Sequence, residues 1–215
     1  MMIKSAYLFG KSICFALALG LSVQSAAADA VSDLAATTQR AFDRMPQVQV
    51  VDQIAGNCGA DGRVNPAVGF CTTSNIIFLS AGAAARPEAA YLVAHSFGHA
   101  VQVRHGIADI ALREITSRRA EEATLRGYVA SQVECVAGFL LARAGLPAPN
   151  LPGWFDREPF AGSHWGRSPL SRGPQVSIGL AQRQAWALRG YQSNDLSACA
   201  AGEFGAELLL RAFKP

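Results

Sequence analysis

Ala94-His95-Ser96-Phe97-Gly98-His99-Ala100 is the stretch on which the reading of this chain turns. His95 and His99 are four residues apart. On a helix, positions i and i+4 share one face, so both imidazoles can be turned toward one ion. In the motif His-Glu-x-x-His, the glutamate after the first histidine takes the proton from a metal-bound water. Here that position is Ser96. A serine hydroxyl is not ionised near neutral pH and is a poor base. The pattern is that of a metal helix without its base. Two rival readings use the same residues. In one, the histidines are a partly buried, hydrogen-bonded pair that holds no metal. In the other, Ser96 is a nucleophile served by His99, although no acid is placed to orient that histidine and the context is not a nucleophile elbow.

The surrounding sequence predicts a helix from Pro87 to about Arg104. Pro87 and Glu88 suit a first helical turn, and Gly106 stops the helix. His105, just ahead of that glycine, reads as a C-terminal cap. A longer helix is expected over 117–144, with Val129, Val133, Val136 and Leu140 as its main apolar stripe. Ala130, Glu134, Ala137 and Leu141 form the stripe beside it, and Gly145 and Pro147 close the helix. Upstream, residues 31–45 read as a helix ended by Pro46, and 47–54 carry a weak strand signal. Residues 56–69 read as loop. Phe70-Cys71-Thr72 and Ile76-Ile77-Phe78-Leu79, joined through Ser74-Asn75, read as a hairpin or two adjacent strands. Residues 146–174 are an ordered loop in which Trp154, Phe155, Phe160 and Trp165 seek burial, a groove platform being the rival. A helix over 176–189 stopping at Gly190 and a short one holding Cys199 complete the count. The expected class is α+β, mostly helical, with a small sheet or hairpin.

The N-terminus sets the expected compartment. Lys4 and Lys11, an apolar run from Ile13 to Val23 and the small residues Ser25-Ala26-Ala27-Ala28 predict a secretory signal over residues 1–28. The rival is an uncleaved anchor, for which the apolar run is short. Residues 29–215 then form one domain. The signal removes two of the 19 basic residues and none of the 16 acidic ones, so the net charge falls from +3 to +1. That balance gives no electrostatic case for nucleic acid or an anionic membrane as partner, and no later segment is apolar for long enough to span a membrane. Cys58, Cys71, Cys135 and Cys199 remain, an even set that suggests two disulfides in an exported, periplasmic or secreted chain. Three pairings are open. The simplest joins Cys58 to Cys71 across a glycine-containing loop, leaving Cys135 for Cys199. A cysteine zinc site is the rival, and no Cys-x-x-Cys spacing supports it.

These features come in a familiar order. Cys58-Gly59, Gly69-Phe70-Cys71, the run Ile76–Leu79, the segment Ala94–Gln102 and Gln132-Val133-Glu134-Cys135-Val136-Ala137-Gly138 are joined by Gln182-Arg183-Gln184-Ala185-Trp186, Arg189-Gly190-Tyr191-Gln192-Ser193 and Ala198-Cys199. Together they resemble the bacterial neutral zinc metallopeptidase family. The resemblance implies a zincin-like fold, a zinc ion held by His95 and His99, and a cleft that takes peptides. The departures from the family pattern matter as much. The family has its general-base glutamate at the position of Ser96 and a third zinc ligand, also glutamate, at that of Ala130. It has an aspartate where Glu134 stands and a histidine where Ser177 stands. Glu134, one helical turn or about 6 Å from Ala130, is the candidate third ligand or substitute base. His164 is a spare candidate. The sequence thus leads to an exported zinc-metallopeptidase-like protein impaired in catalysis, a pseudopeptidase that binds a peptide or protein in the old cleft. The alternative is an active zinc enzyme using Glu134 as ligand or base.

Overall fold

The computed structural model describes residues 17–60, 62, 64–161 and 176–215, with side chains from Ala26 onward. Most of the expected signal segment, residues 1–16, lies outside the described residues, as do His164 and Trp165. The chain is mostly helical with one small mixed sheet. In order come α1 (Leu17–Ala41), β1 (Gln47–Val51), β2 (Val68–Cys71), β3 (Ile76–Ser80), α2 (Ala81–Ala84), α3 (Ala89–Arg104) and α4 (Ile107–Ser117). Then follow α5 (Glu122–Arg143), α6 (Leu151–Trp154), α7 (Leu180–Ser193) and α8 (Glu207–Ala212), with single 3-10 turns at Arg119–Glu121 and Leu196–Cys199. No helix among the described residues is long and apolar enough to cross a membrane.

The sheet has the order β1-β3-β2. β2 and β3 form the expected antiparallel hairpin, with Phe70 opposite Ile77, and the turn between them places Asn75 at φ 56°, a left-handed conformation that asparagine tolerates. β1 pairs in parallel with β3, Val48 lying opposite Ile77. Its weak alternation follows from its place at the sheet edge, where Val50 is exposed.

α3 and α5 form the centre. α5 is buried without a break from Val129 to Leu141, and α3 from Tyr91 to Gly98. Helices buried all round carry little amphipathic pattern, and this is why polar Glu134 could be placed on a stripe but not assigned a surface. Three glycines let the central helices touch. A Cβ on Gly98 would lie 2.8 Å from the Val133 carbonyl oxygen. A Cβ on Gly138 would lie 1.8 Å from that of Ala187, and one on Gly190 1.8 Å from that of Cys135. Gly190 therefore does not stop a helix, as its sequence position suggests. It is an interior contact point of α7, which runs on to Ser193 and ends where Asn194 turns left-handed at φ 47°.

Two further differences from expectation have local causes. Gly106, at φ 78°, breaks α3 from α4 as predicted, but residues 107–117 then form a separate helix with Ala108, Ala111 and Ile115 on its buried face. α8 follows the Cys199 turn, and Phe213 just beyond it bridges to Phe42, closing the C-terminal segment onto the end of α1. Disulfides join Cys58 to Cys71 and Cys135 to Cys199. The second ties α5 to the C-terminal region through two cysteines with no exposed surface.

Candidate functional site

His95 and His99 lie on α3, with ring centroids 4.9 Å apart and planes nearly perpendicular. Tyr91 continues the row one turn earlier, fully buried. Ser96, at the base position, is 4% exposed, and its hydroxyl donates to the Leu92 carbonyl of its own helix at 3.2 Å. That is the usual local outlet for a serine inside a helix. Ala130, where the third ligand would stand, is buried on α5 and offers no donor atom.

Glu134 meets the histidine row from α5. Its Oε1 lies 3.1 Å from His95 Nδ1, and its Oε2 accepts from the Tyr91 hydroxyl at 2.9 Å. The same Oε1 accepts a very short hydrogen bond from Arg183 Nη1. Arg183 projects from α7 with no exposed surface. Its Nε donates to Glu158 Oε1 at 2.6 Å, and its Nη2 reaches the carbonyls of Phe160 at 3.3 Å and Val176 at 3.4 Å. Each guanidinium nitrogen is engaged. Glu158 is held in turn by the Ile178 backbone N–H at 2.9 Å and by the Ser177 hydroxyl. Ser177 is therefore part of this network. Phe160 covers the other side: its ring stacks on His95 at 3.8 Å, 7° from parallel. Tyr91 packs against Trp154, Phe155 and Phe160, so these three aromatics cover the core, as expected from their composition.

The charge states follow. Burial lowers the His95 pKa, more than the Glu134 carboxylate raises it, so His95 is neutral near pH 7. Burial works against an ionised Glu134, but His95 and Arg183 together hold its pKa below the ordinary 4.5. The weight belongs to Arg183, because a neutral His95 brings a hydrogen bond rather than a charge. Burial, reinforced by Glu134, raises Tyr91 well above 10.0, so it stays a protonated donor. Burial also opposes ionisation of Glu158, and Ser177, the Ile178 N–H and Arg183 overcome it.

The expected zinc can be tested against this donor set. Glu134 faces Nδ1 of His95 and spends both oxygens on Arg183, Tyr91 and that nitrogen. A carboxylate in that position orients an imidazole rather than sharing a metal with it. Among the described residues, no group of three His, Cys, Asp or Glu side chains is placed to hold a metal ion. Two imidazoles fall short of the three or four protein ligands of stable zinc sites, so the described residues do not fit a resident zinc. Sequence reasoning did not assign roles to Tyr91, Glu158 or Arg183. Tyr91 was findable, four residues before His95 on the same helix face. Arg183 lies in the Gln182–Trp186 segment, where nothing local marks its buried partners, and Glu158 has no spacing signal at all. No family model matches the chain, and no curated protein or solved structure matches it either.

Proposed function

We propose that this chain is an exported, peptidase-like domain that no longer hydrolyses peptides, a degenerate relative of the neutral zinc metallopeptidases with a zincin-derived fold. Its remaining role is recognition of a peptide or protein. The signal-like N-terminus and the two disulfides support the exported compartment, periplasmic or secreted. The observation that carries the reading is the commitment of Glu134. Among the described residues it is the carboxylate seen against His95 that could replace the missing base, and it is buried, ionised and bound to Arg183 and Tyr91. A buried base with its charge already answered is a weak proton acceptor, and general-base help is worth roughly two to four orders of magnitude in rate.

The test is hydrolysis of a broad peptide library by the full chain with zinc supplied, beside Ser96→Glu and Glu134→Gln. The reading expects no turnover from any of the three, because restoring a base does not restore the donor missing at Ala130. Turnover by the unaltered chain that a chelator and Glu134→Gln both abolish would establish the active enzyme instead. Turnover by Ser96→Glu alone would show that a third ligand exists after all.

A further inference from the structure

The cation of this site belongs to the protein. We infer that the Arg183 guanidinium does the assembling that a metal ion would otherwise do: it draws the Glu134 and Glu158 carboxylates together and thereby fixes Phe160 over the His95 ring, so that the site is built and closed without metal. The inference deepens the proposed function and rests on its reading of Glu134.

Three observations converge on Arg183. First, it joins parts of the chain distant in sequence: Glu134 on α5, Glu158 and Phe160 after α6, and Val176 ahead of α7. A planar fork with five donors can hold two carboxylates and two carbonyls at once, which an ammonium cannot. Second, the segment it holds is under backbone strain. Phe160 sits at φ 61°, where a bulky side chain is an outlier that persists only when its surroundings over-determine it. The Phe160 carbonyl is bound by Arg183, and its ring lies on His95. Third, the guanidinium is fully buried and each of its nitrogens is engaged, so it answers the negative charge of Glu134 from within the chain. A peptide or protein bound at this face meets Phe160 rather than the His95 imidazole.

The experiment reads His95 directly. The full chain is treated with diethyl pyrocarbonate, the modified histidine is located by mass spectrometry, and thermal unfolding is followed with chelator and with equimolar zinc. In the unaltered chain His95 is expected to react slowly, and the Tm to be the same with chelator and with zinc. Arg183→Met is expected to lower the Tm by roughly ten degrees, since it strands the buried Glu134 carboxylate and takes one partner from half-buried Glu158, and zinc is not expected to restore it. If Arg183→Met fails to fold, Glu158→Ala carries the test. It removes the carboxylate through which Arg183 holds the Glu158–Phe160 segment, leaves Glu134 paired, and is expected to raise His95 modification roughly tenfold, the scale of one lost charge-assisted hydrogen bond. His95 reacting in the unaltered chain as readily as a free histidine would overturn the inference. So would an unchanged rate in Glu158→Ala, or a Tm raised by zinc. Zinc binding without hydrolysis would sink this inference and leave the proposed function standing. Hydrolysis by a chain with unreactive His95 and no zinc response would do the reverse.

Discussion

Glu134 is fully buried between two helices, held by Tyr91 and His95 of α3 and by Arg183 of α7. Its spacing from Ala130 puts it on the face of α5 that meets His95, and it is there, 3.1 Å from Nδ1. Spacing could not reveal that a guanidinium 49 residues later would take its charge. The pairing has a pH signature. Glu134 and Glu158 both have folded pKa values below the ordinary 4.5. They contribute stability that is present above the unfolded value and lost as pH falls through the folded ones. His95, with its folded pKa below 6.5, acts in the same direction and from higher pH, because the unfolded chain gains a proton there before the native one does. The Tm is therefore expected to decline as pH drops below about 6.5 and more steeply below about 4.5. Glu134→Gln should be less stable at pH 7, by about 3–5 kcal/mol if the rest of the network stays in place, and should lose less on acidification. Parallel Tm–pH curves for the two proteins would contradict this pairing.

At the level of elements, the sequence marks where the helices are better than how they meet. α3 and α5 are legible from Pro87, Gly106 and the Val129–Leu140 stripe. α4 and α8 are not, being short and flanked by weak signals. Gly190 shows the physical reason for a misplaced boundary. A glycine near a helix end looks like a stop, but local sequence holds no information about the carbonyl of Cys135 waiting across the interface. Gly138 stands in the same relation to Ala187. An alanine at either position puts a methyl group inside another helix's backbone, and the two helices must separate to admit it. Gly138→Ala and Gly190→Ala are each expected to cost at least about 3 kcal/mol in urea unfolding, the upper range for overpacking, because backbone yields less readily than side chains. Gly62→Ala, which meets nothing within 4 Å, is the control and should cost well under about 1 kcal/mol. A small loss at Gly190 would mean that α5 and α7 do not touch as described.

For the whole molecule, the mostly helical α+β class is legible in the pattern of elements, and the even cysteine count gives both disulfides, in the pairing that chain proximity makes simplest. The two bridges are not equivalent. Cys58–Cys71 closes 13 residues near the surface, whereas Cys135–Cys199 closes 64 and is buried at the centre. Chain entropy assigns them about 3 and about 4 kcal/mol. Replacing Cys135 and Cys199 by serine should therefore lower the Tm more than replacing Cys58 and Cys71, further so because the first pair leaves buried hydroxyls. Equal losses would show that chain entropy and burial at the centre count for less than described. The central proposal is that the described part of the site is held together by its own charges, Arg183 against Glu134 and Glu158, rather than by a metal ion. Its most direct test is the zinc content of the full chain after saturation with zinc and exhaustive dialysis. The account predicts far less than one zinc per chain, unchanged in His95→Ala. One zinc retained per chain and lost in His95→Ala would contradict it.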